Sequence, residues 1–191
     1  MATLKGSKTE INILTAFAGE SQARNRYTLA SSVARNEGYM LVSSIFQETA
    51  DQEKEHASRL FKLLPGGEAT ITGSFPSGLK ADVVTHLTAA AGGENHEWTA
   101  MYPGFAKIAR EEGFDEVAGI MENIAIAEKY HEHRFNKLLE AIKTGTMFKQ
   151  PKPVTWRCRN CGWIHEGTEP PDACRACNHP KAYFEVLGWL I

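Results

Sequence analysis

Glu53-Lys54-Glu55-His56 and Glu128-Lys129-Tyr130-His131 both read Glu-x-x-His, and they stand 75 residues apart. Residues at i and i+3 share one face of a helix, so each string aims a carboxylate and an imidazole at one point. Two such strings, with one Glu from each of two further helices, form the donor set of a di-iron or di-manganese carboxylate bundle. The further carboxylates are at hand as Glu20 and the pair Glu94/Glu97. A single Glu-x-x-His arises often by chance; two in register within a repeat are a far more specific signal. A second chemistry sits near the end of the chain. Cys158-Arg159-Asn160-Cys161 and Cys174-Arg175-Ala176-Cys177 hold all four cysteines as two Cys-x-x-Cys pairs. That spacing argues for a metal rather than a disulfide framework. Four thiolates impose a tetrahedral site suited to zinc or iron, and the spacing alone leaves both open. Gly162 and Asn178, each following a second cysteine, tolerate the positive φ such a turn needs.

The elements that must carry these groups follow from periodicity and from an internal repeat. Ala34-Arg35-Asn36-Glu37-Gly38-Tyr39 recurs as Ala109-Arg110-Glu111-Glu112-Gly113-Phe114, and Ile45/Ile120, Ala50/Ala125 and Arg59/Arg134 match at the same offset. The chain is therefore two related helical hairpins turning at Gly38 and Gly113. The first helix opens on the capping box Ser7-x-x-Glu10 with an inner stripe of Ile13, Phe17, Glu20, Arg24 and Tyr27. The second, about 39–64, turns Val42, Ile45, Thr49, Glu53, His56, Leu60 and Leu63 inward. The third, about 79–111, has Leu87, Ala91, Glu94, Glu97 or Trp98, Met101, Phe105 and Ile108. The fourth, about 114–143, has Val117, Met121, Ile124, Glu128, His131, Phe135, Leu138 and Ile142. Residues 65–78, rich in Gly and Pro, read as a connection. Fourteen extended residues span at most roughly 46–50 Å, enough to run the length of a bundle whose 26-residue helix is about 39 Å long. The expected fold is mainly α: a ferritin-like four-helix bundle with one long crossover over 1–146, then a small β/loop metal domain over 147–191. A unit that short needs a metal for stability.

The offsets carry one more expectation. Tyr27 and Tyr102 match at 75, but Glu20 and Glu94 match at 74, so the third helix holds one additional residue between carboxylate and tyrosine. Such an insertion is absorbed as a π-bulge, expected between Glu94 and Tyr102. Against the metal reading stands a plainer one, in which Arg24, Arg26, Arg59 and Arg134 neutralise the inward carboxylates; so many buried acids exceed what those arginines can offset. Tyr27 and Tyr102 are candidates either for orienting carboxylates or for plain core packing. His86, His96, His133, His165 and His179 are expected at the surface. The net charge of −2 implies no nucleic-acid partner. No signal peptide and no membrane-length apolar stretch is visible, and clustered thiols suit a reducing cytoplasm.

The segments Leu14-Thr15-Ala16-Phe17-Ala18-Gly19-Glu20-Ser21-Gln22-Ala23-Arg24-Asn25-Arg26-Tyr27 and Trp156-Arg157-Cys158-Arg159-Asn160-Cys161-Gly162 resemble the rubrerythrin family, and the likeness runs end to end. The resemblance implies a di-iron site at Glu20, Glu53, His56, Glu94, Glu97, Glu128 and His131, with Glu53 and Glu128 bridging. It further implies one iron held by Cys158, Cys161, Cys174 and Cys177. It implies reduction of hydrogen peroxide to water with electrons drawn from NAD(P)H through a reductase or rubredoxin, protection from oxidative stress, and a homodimer in which one subunit's rubredoxin-like domain faces the other's di-iron site. It also implies that Glu97 holds one iron in the oxidised state and yields to His56 in the reduced state. Arg175 departs from the family pattern, which has proline there; the change removes a φ constraint and adds a charge near the thiolates, but removes no ligand. Two other classes remain as alternatives: a ferroxidase or iron-handling protein of the ferritin-like class, and a helical scaffold with a zinc ribbon.

Overall fold

The computed structural model describes residues 3–78 and 82–189. Its order is α1 (Lys8–Asn36), α2 (Met40–Phe61), α3 (Val83–His96), a π turn (Glu97–Met101), α4 (Tyr102–Glu111), α5 (Asp115–Lys143), and then strands β1 (Val154–Cys158), β2 (Ile164–Gly167) and β3 (Phe184–Val186). Ser7 caps α1 by accepting from the Glu10 amide at 3.0 Å, while the Glu10 carboxylate takes the Gly6 amide at 2.6 Å. The expected start of the third helix near 79 falls on residues outside the described set; α3 begins at Val83, where Asp82 accepts from the Thr85 amide at 2.6 Å.

The repeat is built into the turns. Gly38 and Gly113 hold φ of 84° and 81°, the left-handed conformation that closes a helix. After each, the aromatic residue returns its amide to an alanine carbonyl five residues back, Tyr39 to Ala34 and Phe114 to Ala109, both at 2.8 Å. The glutamates beside these glycines reach across to the other hairpin. Glu37 accepts from the Val83 amide at 3.1 Å, and Glu112 from the amides of Lys8 and Thr9 at 3.1 and 2.8 Å. Each hairpin's turn thus satisfies orphan amides at the start of the other hairpin's first helix.

Cross-bundle contacts give the topology. Tyr27 meets Glu94 and Tyr102 meets Glu20, so α1 runs opposite to α3–α4. Gln52 meets His131 and Glu48 meets Arg134, so α2 runs opposite to α5. With tight turns inside each hairpin, α2 and α3 are parallel, and the chain between them crosses the bundle as expected for a ferritin-like fold. One apolar cluster, centred on Tyr27, Phe46 and Phe135 with ring centroids 5.0–5.8 Å apart, fills the end near Gly38. A second, around Ile13, Leu60, Tyr102 and Met121, fills the other end. The inward acids lie between them. No described helix is long and apolar enough to cross a membrane.

Two inner stripes differ from expectation. In α1 the buried positions are Ile13, Ala16, Glu20, Ala23, Tyr27, Ala30 and Ala34, with Phe17 half-buried and Arg24 exposed. Alanines let α2 approach closely, and a bulky stripe at those places would hold it off. In α4 the buried residues are Tyr102, Ala106 and Ala109, one position later than the expected Met101, Phe105 and Ile108. The additional residue of the π turn rotates the downstream face by that one step.

The three strands form an antiparallel sheet in the order β2-β1-β3. Its core is small, Trp156 and Phe184 packed with Cys158 and Cys174. The unit rests on the bundle at the Gly38 turn: a Cβ at Gly38 would stand 3.8 Å from that of Ala182, Tyr39 stacks on Phe148 at 6.1 Å, and Lys137 donates to the Trp189 carbonyl.

Candidate metal centres

The Glu-x-x-His strings sit on the inner faces of α2 and α5, and the bundle brings them together. His56 Nδ1 lies 3.0 Å from Glu53 Oε2, 2.9 Å from Glu128 Oε1 and 3.9 Å from Glu20 Oε2. His131 Nδ1 lies 2.7 Å from Glu128 Oε2, 3.2 Å from Glu53 Oε1 and 3.8 Å from Glu94 Oε2. Glu53 and Glu128 therefore each turn one oxygen to each histidine, and Glu20 and Glu94 complete one set apiece. Within either set the donor atoms lie within 4.8 Å of one another. The result is two adjacent centres sharing two carboxylates.

All four acids are buried, at 0–1% exposure. Glu20 Oε2, Glu53 Oε1, Glu94 Oε2, both Glu128 oxygens and His131 Nδ1 are buried atoms with no hydrogen-bond partner. A buried carboxylate oxygen without a partner is costly, and these converge on the same two points. Among the described residues no arginine pairs with them: Arg59 reaches Glu116 at 3.4 Å, Arg134 reaches Glu48 at 2.7 Å, and Arg24 is exposed. The protonation pattern shows the same excess of negative charge. Burial, then the charge of Glu53, holds Glu94 up to about 8, and Glu20 is driven well above its ordinary range by the same two causes. Burial raises Glu53 too, but His131 and His56 override it and bring it to about 2. Burial pulls the imidazoles down, yet Glu128 and Glu53 carry His131 up to about 12 and His56 to about 9. Without a metal, two imidazolium rings balance only two of the four acids, and Glu20 and Glu94 keep their protons; two divalent cations on the shared oxygens would let all four ionise.

The tyrosine hydroxyls donate to these acids in a reciprocal cross, Tyr27 to Glu94 Oε1 and Tyr102 to Glu20 Oε1. The π turn lies where the offset placed it, with the Tyr102 amide bonded to the Glu97 carbonyl five residues back. Glu97 opens that turn, half-buried and outside both donor sets. Burial, then Glu94 and Glu128, push its carboxyl well above the usual range, with Arg26 pulling the other way. His86 differs from expectation: it is buried at 9% exposure on α3, where the bundle covers it. His96 and His133 are exposed, and His165 and His179 half-buried.

In the small unit the four thiols also converge. Cys158 Sγ lies 3.8 Å from Cys177 Sγ, Cys161 Sγ lies 3.6 Å from Cys174 Sγ, and all four fall within 4.8 Å. A tetrahedron with bonds of roughly 2.3 Å has edges of about 3.8 Å, so the sulfurs already stand at metal-site spacing. The two knuckles match. Gly162 and Asn178, at φ of 79° and 58°, return their amides to Cys158 and Cys174 at 2.8 Å each. Arg175 is exposed and leaves that bond intact. The His179 amide brings the Cys177 thiol down to about 6.

Comparison with known proteins agrees with this geometry. The rubrerythrin family model matches residues 12–139, and the model of the rubrerythrin rubredoxin-like domain matches residues 156–185. The chain belongs to the rubrerythrin family. It is 56% identical over 188 residues to a rubrerythrin of Nitratidesulfovibrio vulgaris, covering 98% of each chain. It is 51% identical over 185 residues to one of Porphyromonas gingivalis, covering 97% of this chain and 92% of that one. Among solved structures, fully reduced, all-ferrous nigerythrin superposes with a TM-score of 0.65 at 29% identity, covering 95% of this chain and 87% of the other. Rubrerythrin-family membership makes the cluster in the bundle a di-iron site of the ferritin-like kind and the four-cysteine cluster a rubredoxin-like iron site.

Gln52 and Arg134 are the site residues that sequence pattern alone does not single out. Gln52 Oε1 lies 2.9 Å from His131 Nε2 and 3.1 Å from Arg134 Nη2. The available signal was the offset of 75, which pairs Arg134 with Arg59 and Gln52 with Ala127.

Proposed function

We propose that this chain is a peroxidase that reduces hydrogen peroxide to two waters, using two electrons and two protons, at the centre formed by Glu20, Glu53, His56, Glu94, Glu128 and His131. The carrying observation is the joining of two carboxylate-bridged centres to a redox-capable four-thiolate site in one chain. Iron held by these residues would supply the two electrons and polarise the substrate oxygens, and Cys158, Cys161, Cys174 and Cys177 would hold an iron able to supply electrons singly. The chain's residues do the rest. Glu53 and Glu128 hold both centres against one small substrate. Tyr27 and Tyr102 fix the orientation of the terminal acids. Glu97 and His56 would serve as alternative donors to one iron, Glu97, the harder ligand, suiting its oxidised state and His56 its reduced state.

The thiolate unit rests at the Gly38 turn, 18 residues of helix from Glu20, or roughly 27 Å along the axis. A homodimer that sets one subunit's thiolate site against the other's bundle shortens that path, and rubredoxin or a reductase acting for NAD(P)H is the donor. Residues 1–146 and 147–191 are the two units of this division of labour, and the reduced thiols fit a cytoplasmic setting. The test is NADH-coupled peroxide consumption by the full chain. About three irons per chain should accompany turnover. Cys158→Ser and Glu128→Ala should each abolish coupled turnover, and a mixed dimer of the two should recover part of it. Full coupled turnover by Cys158→Ser would overturn the relay; zinc in both sites of an active enzyme would overturn the whole reading.

A further inference from the structure

The offset of 75 superposes the surroundings of the two histidines, and they are not alike. Behind His131 stands a built network. Arg134, only 3% exposed, donates to Glu48 at 2.7 Å, to Thr49 Oγ1 at 3.0 Å and to Gln52 Oε1 at 3.1 Å. Arginine has no acceptor, so the amide of Gln52 must turn its oxygen toward Arg134, and with it toward His131. A carbonyl oxygen 2.9 Å from Nε2 requires Nε2 to carry the proton. The neutral ring then presents its lone pair at Nδ1, the atom that faces Glu53, Glu94 and Glu128. The tautomer and the ring orientation are both set from outside the centre.

Behind His56 the same places are differently filled. Glu48 becomes Asn123, Thr49 becomes Ile124, Gln52 becomes Ala127, and Arg134 becomes Arg59. Ala127 offers no acceptor. Arg59 is half-exposed and turns to Glu116. In place of a network there is a shallow surface cavity of about 440 Å³ lined by His56, Arg59, Glu116, Gly119, Ile120, Asn123 and Ile124. The His56 side chain is 17% exposed against 3% for His131.

We propose that Gln52, locked by Arg134, is the positioning residue that makes His131 a fixed ligand, and that the lack of its counterpart at Ala127 is what leaves His56 free to move. This rests on the reading that both histidines bind iron through Nδ1. It assigns the functional asymmetry of two near-identical halves to one amide, and it places the opening to solvent on the His56 side.

The test uses the full chain loaded with Co(II) and read by proton NMR, in which the Nε2 proton of each metal-bound imidazole gives a hyperfine-shifted line. The wild type should show one line protected from exchange with water and one that exchanges at least about tenfold faster; His131→Ala and His56→Ala assign them. Gln52→Leu should bring the protected line up to the faster rate and weaken one of the two Co(II) binding steps about 10–100-fold. Gln52→Glu, which keeps an acceptor oxygen, should restore protection. Ala127→Gln, on the half-buried face of α5, transplants the amide and should slow exchange of the His56 line about tenfold, an outcome independent of whether the Gln52 variants fold. Two lines of equal exchange in the wild type, or a protected line that survives Gln52→Leu, would overturn the lock while leaving the ligands in place. The absence of both lines would overturn the ligand reading and the lock with it.

Discussion

Replacing Tyr102 or Tyr27 by phenylalanine isolates a single hydrogen bond at the centre. The ring stays, so the Tyr27 contacts with Phe46 and Phe135 at 5.8 and 5.3 Å persist, and no cavity is opened. What disappears is a hydroxyl donating to a carboxylate where Tyr102 is 0% exposed and Glu20 1%. No water takes its place at that depth. The second oxygen of each acid, Glu20 Oε2 and Glu94 Oε2, has no hydrogen-bond partner, so the tyrosine is what fixes the carboxylate plane. A bond to a charged group is worth about 1.5–3 kcal/mol, which corresponds to about 10–150-fold weaker metal binding. For a chain of this size it also lowers the melting temperature of the loaded protein by roughly 3–12 °C. Co(II) titration against a competing chelator gives the first number and thermal unfolding of the loaded protein the second. Variants that both stay within about 0.5 kcal/mol of the wild type would show that the hydroxyls only pack.

Three other outcomes are expected. Metal-free protein should be most stable near pH 5 and lose stability toward pH 9. Burial holds Glu94 up to about 8, so its contribution is present below 4.5 and lost as pH rises through 8, and His56, raised to about 9 by Glu128 and Glu53 against its burial, falls away above 6.5 in the same direction. Glu53, brought to about 2, accounts for the loss on the acid side; a metal-free melting optimum at pH 8 would contradict this. Deleting Thr99 should restore a regular helix with the seven-residue Glu–Tyr spacing of α1, leaving stability equal or higher while peroxide turnover falls, because Glu97 loses its place; retained turnover would remove the π turn from the mechanism. Gly113→Ala, at φ of 81°, should cost about 1–3 kcal/mol in chemical denaturation, and a neutral result would mean the turn relaxes.

Much of this was readable from residue order because the site repeats. Two Glu-x-x-His strings at a constant offset give the helices, their faces and the level of the centre at once, and the single mismatch between 74 and 75 gives the π turn. The knuckles were equally plain, since Cys-x-x-Cys followed by Gly or Asn admits few conformations. The α1 stripe was not, because alanine carries little hydropathy signal yet decides how closely α2 approaches. The face of α4 was displaced by the very bulge the offsets reveal, since periodicity is blind to an added residue unless the count is carried through it. His86 reads as polar by type, and only the assembled bundle shows what covers it. The Gln52–Arg134 pair was hidden because a glutamine and an arginine on a helix usually face water; their meaning needs the ring nitrogen they touch.

The exchanged caps and exchanged tyrosine bonds have an ancestral implication. Glu37 serves the second hairpin and Glu112 the first; Tyr27 serves Glu94 and Tyr102 serves Glu20. Every one of these bonds crosses between halves, so one hairpin alone would leave its caps and its carboxylates unmet and would lack one donor of one centre and three of the other, whereas two copies of one hairpin would satisfy them all about a two-fold axis. Such a pair, however, is bound by its symmetry: a glutamine behind one histidine would stand behind both, and a residue inserted into one helix would appear in each. Gene fusion lifts that constraint. The π turn in one half and the amide in the other are differences that two identical subunits could not carry separately, and the fixed ligand beside a movable one proposed above is open only to a chain that joins both halves.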